Sequence, residues 1–446
     1  MSDTGNRLEL EGVSDKMQEI ELAFGEQSLR LVLPDVQCVD VVEGSLTPGV
    51  GNIVEAARQA LAEPVGEPPL RHKVKATDKV VIIVSDITRR WVRHDLFLPV
   101  LLDELNAAGI ADKQITVLVA LGAHRPHSQE ENLLAYGQAV VERVTIAQSY
   151  APETDQFVRL GTTSRGVPVT VNRRVVEADR VILTGGICYH PMAGFGGGRK
   201  AILPGVSGYD SIQGNHRFCL SKVEGDGVNP HSASGRLNDN EMHLDMMEMA
   251  EMVKPDFLFN VVLNPEGEIA AFFAGHWLKA WQAGCKKVEE IYGVPVEQAA
   301  DLVIVSAGGA PKDMNFYQAC KAIQNAAGAV KPGGLMIAVM ECRDIEDPPD
   351  FSQWFHYPSL LEAEQALRVA FTVPGFIALK TGYIARELPI IVVTLAENAA
   401  FFARTGIQAV TGLEEALQLA AKRLDLPNSR IIVLPHGGST LPLIGA

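Results

Sequence analysis

The sequence lacks the features that mark membrane, secreted and cysteine-stapled proteins. No apolar run reaches the roughly 20 residues needed to span a bilayer, and the N-terminus has no basic region followed by an apolar segment. The six cysteines are scattered and include no C-x-x-C pair, which is typical of reduced thiols in the cytoplasm. We therefore expect a cytoplasmic protein.

Positive charge is also scarce. The chain has 39 Lys and Arg against 54 Asp and Glu, a formal net charge of -15 at pH 7 and a pI near 5.2. A field of that sign repels both nucleic acid and anionic membranes, so we expect neither as a partner. An anionic ligand must then be bound by local cations.

Common metal and nucleotide motifs are absent. No two histidines have the i, i+4 spacing of a helical zinc pair, and no H-E-x-x-H occurs. The glycine-rich stretch "HPMAGFGGGRKAILPG", His190–Gly205, is not a Walker loop, because Lys200 stands between Arg199 and Ala201. It also does not fit G-x-G-x-x-G with an acid about 20 residues further on. A metal, if bound, cannot take most of its ligands from an obvious protein cluster.

Short apolar runs rich in Val, Ile and Leu dominate what is present. Eight of them begin at Lys79, Gln114, Arg180, Phe257, Asp301, Gly334, Leu388 and Arg430. They alternate with helical segments such as "LFLPVLLDELNAAG" and "LEEALQLAAKRL", a pattern typical of parallel strands covered on both faces. The prediction is an α/β fold with mostly parallel sheets flanked by helices.

The length predicts two domains, since 446 residues exceed the roughly 250 to 300 at which single cores stop growing. We place the boundary near residues 291–300, where a new series of strands follows a helix. The N-terminal domain is then 1–295 and the C-terminal domain 296–432, with 433–446 allowed to return to the first domain because chain termini often lie close together.

Polar residues follow four of the predicted strands. They lie in "SDITRR" (Ser85–Arg90), "LGAHRPH" (Leu121–His127), the glycine-rich stretch and "SAGGAPKDMNFYQACK" (Ser306–Lys321). Ligands of open parallel sheets bind outside the carboxyl ends of the strands, so we expect these loops to form one site. Each loop alone has a plainer interpretation: Asp86 as a helix N-cap with solvated arginines, His124 as a structural hydrogen-bonding residue, and Tyr317 and Lys321 as a solvated helix face. The methionines between 242 and 252 are interpreted as helix core.

Together these motifs resemble the nickel-pincer lactate racemase family, with its wider 2-hydroxyacid racemases and epimerases. The resemblance rests on "SDITR", "LGAHRP", "HPMAGFGGGRKAILPG", Asn215-His216 and "GGAPKDMNFYQACK", which occur in the family's order and cover nearly the whole chain. It implies a cofactor-binding N-terminal domain, a C-terminal domain that contributes substrate-binding residues, and an active site in the cleft between them.

The resemblance also implies roles for individual residues. Lys200 would hold covalently a nickel-bearing pyridinium-3-thioamide-5-thiocarboxylic acid mononucleotide, and His216 would be the protein's ligand to nickel. The remaining implied sites fall into two groups: Asp86, Thr88, Gly196, Gly197 and Gly198 at the cofactor, and Arg89, Tyr317, Gln318 and Lys321 at a 2-hydroxy acid. Cofactor-synthesis and nickel-insertion enzymes are the implied partners.

In such a racemase His124 and His190 become an opposed acid/base pair. One base takes the hydroxyl proton while the Cα hydrogen leaves as hydride, and the return to the opposite face needs a proton donor on the other side; imidazole serves both purposes near pH 7. No role was found for Arg199.

The sequence departs from the lactate enzymes in residues that shape a pocket. Gly196 stands where a serine is common, Pro191-Met192 replaces aromatic residues, and Val373–Pro389 contains no tryptophan. Pocket residues set which side chain fits, so these departures argue against lactate and leave room for a malate-like, longer aliphatic or sugar acid. Two other functions use the same parts: a hydroxy-acid dehydrogenase or dehydratase, and a non-catalytic protein that binds an anion or nucleotide.

Overall fold

The structure, a computed structural model, describes residues 18–33 and 38–445. None of the helices in those ranges is both long and apolar enough to cross a membrane. The described residues group into two compact units, each built around its own six-stranded sheet.

The strands, in chain order, are β1 Gln18–Phe24, β2 Gln27–Leu33, β3 Cys38–Val41, β4 Val80–Ser85, β5 Ile115–Gly122, β6 Thr145–Tyr150, β7 Phe157–Thr162, β8 Pro168–Asn172, β9 Arg180–Gly186, β10 Tyr189–His190, β11 Gly194–Phe195, β12 Phe257–Leu263, β13 Ile269–Gly275, β14 Gly293–Val296, β15 Ala300–Ser306, β16 Val330–Val339, β17 Ile390–Val393, β18 Gln408–Val410, β19 Arg430–Leu434 and β20 Leu441–Ile444.

The α-helices are α1 Ile53–Ala62, α2 His94–Ala107, α3 Gln129–Tyr136, α4 Gln138–Val141, α5 Arg173–Val176, α6 Tyr209–His216, α7 Glu241–Val253, α8 Trp277–Tyr292, α9 Phe316–Ala326, α10 Pro349–Ser352, α11 Leu360–Val369, α12 Val373–Glu387, α13 Ala399–Phe402 and α14 Leu413–Ala421. Each of the eight predicted apolar runs overlaps a strand, and both quoted helical segments overlap a helix.

The larger unit comprises Glu43–Glu297, Glu346–Glu387 and the residues from Ser439 onward. Its sheet has the order β13-β12-β9-β4-β5-β6, with every neighbouring pair parallel except β12 and β13. The chain runs from β4 to β5 and β6 on one side, and β9, β12 and β13 lie on the other. The strand order therefore reverses between β4 and β9, where a crevice opens at the carboxyl ends.

Apolar strands explain why this sheet is buried. Ile82 in β4 and Phe259 in β12 are fully buried and join a core with Phe97 and Leu101 of α2. On α7, the methionine stripe is fully buried at Met242, Met246 and Met249, which confirms its interpretation as helix core.

The smaller unit comprises the described residues up to Val42, together with Gln298–Ile345 and Leu388–Gly438. Its sheet has the order β18-β17-β16-β15-β19-β3 and is parallel throughout. Apolar residues of the β1–β2 hairpin pack in the same core as one face of this sheet.

These units differ from the contiguous division at 295 and 296. Residues before Val42 group with the second half of the chain, and Glu346–Glu387 groups with the first. The strand β19 pairs with β15 and β3 within the smaller unit, whereas β20, from Leu441, pairs with β14 in the larger one. Only part of 433–446 therefore groups with the N-terminal half.

A buried histidine links the two strands that flank the crevice. His94, only 2% exposed, lies with its Nε2 3.0 Å from Thr184 Oγ1, and this hydroxyl donates to the carbonyl of Ile83 at 2.7 Å. Because the hydroxyl proton is committed to Ile83, His94 donates through Nε2. Burial lowers the pKa of His94 from 6.5 to about 3, so the ring is neutral in the folded protein.

We predict that His94 makes folding acid-sensitive. Between pH 6.5 and about 3 the unfolded chain binds a proton at this ring that the folded chain does not, so stability falls as the pH falls through that window. Relative to His94→Gln, the wild type should lose up to about 1.4 kcal/mol per pH unit. Denaturant unfolding of both proteins at several pH values measures this, and a pH-independent difference would contradict it.

Candidate active site

Three loops of the larger unit begin at the carboxyl ends of its central strands. Asp86 follows β4, His124 follows β5, and His190 lies in the loop after β9. The strands are neighbours and parallel, so the fold brings three of the four predicted loops to one edge of the sheet. The fourth, Ser306–Lys321, follows β15 in the smaller unit.

Asp86 and His124 form a close pair across the ends of β4 and β5. His124 Nδ1 lies 2.5 Å from Asp86 Oδ2, and Thr88 Oγ1 donates to Asp86 Oδ1 at 2.6 Å. The carboxylate is 4% exposed, whereas the His124 side chain is 57% exposed. Asp86 makes no side-chain capping bond to the following 3₁₀ turn, so its plainer interpretation as an N-cap is wrong.

The pair keeps Asp86 ionised. Burial alone raises the pKa of the Asp86 carboxyl, but the hydrogen bonds from His124 and Thr88 and the positive charge of Arg89 together outweigh burial and lower the pKa. A buried carboxylate fixed to a histidine in this way can hold one ring nitrogen protonated.

His190 is held by the backbone that follows it. Its Nδ1 accepts hydrogen bonds from the backbone N–H groups of Met192 at 3.2 Å and Ala193 at 3.1 Å. A nitrogen that accepts cannot carry the proton, so the neutral ring is protonated at Nε2. Burial and the charges of Lys200 and Arg89 lower the pKa of His190 well below its usual value.

Lys200 lies in a short 3₁₀ turn, Gly198–Ala201. Burial and the neighbouring charges of Arg199 and Arg89 lower the pKa of Lys200 to about 7. A substantial fraction of this side chain is therefore an uncharged amine near neutral pH, which is the nucleophilic form.

His216, the last residue of α6, is 4% exposed. Its Nδ1 donates to the carbonyl of Ile212 at 2.8 Å, and its ring meets Phe371 edge-on at 5.5 Å between centroids. Burial and the charge of Lys200 lower the pKa of His216 to about 3. The ring is thus neutral and oriented, with its Nε2 lone pair available to a metal.

The glycines of the glycine-rich stretch serve protein packing. A Cβ on Gly198 would lie 2.6 Å from Trp281 Cδ1, and one on Gly197 would lie 2.9 Å from Ile187 Cγ1; both glycines also have positive φ. The amides of Gly196 and Gly198 already donate to Cys188 O and to Asn260 Oδ1. Those two amides therefore have acceptors within the protein.

Arg199, for which the sequence suggested no role, stabilises the glycine-rich stretch through buried hydrogen bonds. It is fully buried, donates to the carbonyls of Phe195 at 2.7 Å and Ala193 at 2.6 Å, and lies 4.1 Å above the Trp281 ring. Its Nε donates to His243 Nδ1 at 3.2 Å. Burial lowers the pKa of Arg199 to about 9, so it stays charged at pH 7.

Several side chains that shape the site had not been singled out in the sequence. Trp281 donates to Gly196 O at 2.9 Å, and His127 accepts from the backbone N–H of Ile87 at 2.8 Å. Lys380, on α12, donates to the carbonyl of Pro191 at 3.1 Å. Each partner is distant in sequence, so no local pattern could have revealed these contacts.

Of the four predicted substrate-binding residues, Arg89 follows β4 in the larger unit, whereas Tyr317, Gln318 and Lys321 lie on α9 in the smaller unit. Lys321 Nζ donates to Gln318 Oε1 at 2.5 Å and lies 5.9 Å from the centre of the Tyr317 ring. Asn315 caps the helix by accepting from the Gln318 amide at 3.0 Å. The expected shared face of Tyr317 and Lys321 is present.

Metal-binding side chains are sparse in the described chain. Residues 18–33 and 38–445 contain no group of three or more His, Cys, Asp or Glu side chains placed to hold an ion. A metal at His216 would need ligands from another source.

Comparison with known proteins decides the family. The family model described as the lactate racemase N-terminal domain matches residues 24–227, and that of the lactate racemase C-terminal domain matches 296–441. The lactate racemase of Thermoanaerobacterium thermosaccharolyticum is 33% identical over 341 residues, which are 76% of this chain and 78% of that protein. The chain belongs to the lactate racemase family. It is therefore a racemase, an enzyme of the isomerase class, which confirms the resemblance and the predicted enzyme class.

Further relatives agree. The lactate racemase of Lactiplantibacillus plantarum is 34% identical over 311 residues, or 67% of this chain and 71% of that protein. The apoprotein structure of the Thermoanaerobacterium thermosaccharolyticum enzyme matches with a TM-score of 0.83 at 30% identity, covering 96% of this chain and 100% of that one. A Thermotoga maritima protein with a TM-score of 0.59 and 18% identity, covering 90% of this chain and 100% of that one, shares the fold alone. The α/β fold predicted for this chain is confirmed.

We predict that Arg199→Met destabilises the protein. The variant keeps an apolar chain over Trp281 but removes the guanidinium donor from the carbonyls of Ala193 and Phe195, and the unfolding free energy should fall by about 1–3 kcal/mol. Arg58→Met, on the exposed surface of α1, is the control and should stay within about 0.5 kcal/mol of the wild type. Equal unfolding midpoints for the two variants would show that Arg199 does not support the stretch.

Proposed function

We propose that this racemase inverts the configuration of a 2-hydroxy acid with the help of a nickel-pincer nucleotide attached to Lys200. The observation that carries the proposal is His216: a buried, neutral imidazole with one nitrogen fixed by Ile212 and the other available, in a described chain with no three-ligand metal cluster. A metal bound there fits a cofactor that brings its own donors.

Lys200 fits the attachment. Covalent bond formation by a lysine needs the uncharged amine, and the buried setting beside Arg199 lowers the Lys200 pKa to about 7. The charge of Lys200 also acts on His216 and His190, so a group held at this amine lies within electrostatic reach of both rings.

Fewer residues are proposed here to hold the nucleotide than the sequence suggested. Asp86 is bonded to both His124 and Thr88, and the amides of Gly196 and Gly198 donate within the protein. We retain Lys200 and His216 as the residues that would hold the cofactor, with Gly197 close by. When bound, the group supplies the acceptor for the Cα hydrogen, which leaves as hydride.

The protein's own residues supply proton transfer and substrate binding. His124 and His190 act as the acid/base pair for the hydroxyl proton, because an imidazole can accept a proton at one ring nitrogen and donate from the other. Arg89, Gln318 and Lys321 bind the carboxylate and hydroxyl, because a cation is the natural partner of a carboxylate.

The substrate is proposed as a 2-hydroxy acid. The relatives are named lactate racemases, which makes lactate a natural first substrate to test. Because Val373–Pro389 lacks tryptophan, malate-like, aliphatic and sugar acids belong in the same panel. The enzyme would act in the cytoplasm and depend on enzymes that make the nucleotide and insert nickel.

Two variants, each produced in cells that also contain the cofactor-synthesis enzymes, should differ in adduct and nickel content. Wild-type protein should carry an adduct on Lys200 and stoichiometric nickel. Lys200→Arg should lose both, since its guanidinium does not form the adduct, whereas His216→Gln should keep the adduct and lose nickel. Peptide mass spectrometry and metal analysis measure the two independently, and a wild-type chain that racemises without adduct or nickel would refute the proposal.

A further inference from the structure

We propose that Asp86 is a positioning residue for His124 and that its carboxylate, with the backbone at His190, sets the two catalytic histidines in opposite resting tautomers. The inference rests on the proposed function, in which both rings meet the substrate oxygen. It assigns to Asp86 a task other than binding the nucleotide.

The pairing at His124 determines one tautomer. A carboxylate only accepts hydrogen bonds, and Asp86 is kept ionised by its setting. At 2.5 Å from Asp86 Oδ2, His124 Nδ1 must carry the proton. The Nε2 of this half-exposed ring then holds a lone pair, which is the form of a base.

The backbone determines the other tautomer. Two N–H donors, from Met192 and Ala193, point at His190 Nδ1, and an N–H donor requires an acceptor. His190 therefore presents Nε2–H, which is the form of a donor. For it to take a proton at Nε2, the proton already there would have to leave, or Nδ1 would have to give up both backbone bonds.

The proton and electron balance of the first step follows from the two tautomers. The substrate hydroxyl proton would move to His124 Nε2 as the C–O bond becomes C=O, and the group held at Lys200 would supply the acceptor for the Cα hydrogen and its electron pair. His124 becomes an imidazolium between Asp86 and the substrate, so the pair changes from one negative charge to none. His190 meanwhile donates a hydrogen bond through Nε2–H.

Asp86 has little capacity left for a ligand. Its two oxygens are bonded to His124 and Thr88, and its side chain is 4% exposed. Such His–carboxylate pairs orient the ring and stabilise the imidazolium that forms.

The first test reads the tautomers in the protein without cofactor. Ring-¹⁵N-histidine NMR, with His124→Gln and His190→Gln used to assign the two signals, should show Nδ1–H at His124 and Nε2–H at His190. In Asp86→Asn the amide can donate to His124 Nδ1, so the His124 signal should change to Nε2–H. The matched control Thr88→Val keeps the carboxylate and should leave Nδ1–H in place.

The second test uses cofactor-loaded enzyme. Asp86→Asn should lower kcat by about 10²- to 10⁴-fold, with KM, the Lys200 adduct and nickel content close to those of the wild type. An Nε2–H signal at His124 in the wild type, or an unchanged signal in Asp86→Asn, would overturn the proposal. So would a loss of adduct or nickel in Asp86→Asn that parallels the loss of turnover. A wild type without adduct would instead count against the proposed function, and the NMR result would stand by itself.

Discussion

The reversal of strand order between β4 and β9 is the constraint on which the site depends. In the sheet, β5 and β6 lie on one side of β4, and β9 and β12 lie on the other. The connections therefore diverge and leave a crevice at the carboxyl ends of the strands. Asp86, His124 and His190 are all in loops that start at this edge. The His94–Thr184–Ile83 link joins the two flanking strands directly.

A second constraint is the buried cation under the glycine-rich stretch. Removing a guanidinium from water is costly, and the acceptors found for Arg199 among the described contacts are neutral: two carbonyls, His243 and the face of Trp281. Those contacts hold the backbone that follows His190. The same charge helps to lower the pKa of Lys200 and of His190, so one residue stabilises the loop and sets the protonation of its neighbours.

Much of this could be predicted from sequence because the signals were local. Continuous apolar runs specify buried parallel strands, and parallel strands share a carboxyl edge, which places Asp86 near His124 without further information. Long-range pairs leave no such signal. Arg430 donates to Asp40 across 390 positions, and such pairing of distant segments is why the contiguous domain division departs from the compact units. Trp281, on a helix far along the chain, leaves no space for a side chain at position 198, which is why Gly198 is a glycine.

The tautomers of the site histidines could not be predicted from the sequence. Which ring nitrogen of His190 or His216 is occupied depends on backbone groups met only in the folded chain. The bonds of the Asp86 oxygens to His124 and Thr88 likewise join residues that meet only in the folded chain.

The proposed inversion proceeds by hydride transfer to and from a group held at Lys200. The fate of the Cα hydrogen tests this mechanism directly. A 2-hydroxy acid that is racemised by the cofactor-loaded enzyme is labelled with deuterium at Cα and incubated in ordinary water, and both enantiomers are recovered and analysed by mass spectrometry. Hydride return from the group at Lys200 should leave the deuterium on the inverted product. Loss of deuterium to solvent in step with inversion would mean proton abstraction from carbon and would contradict it.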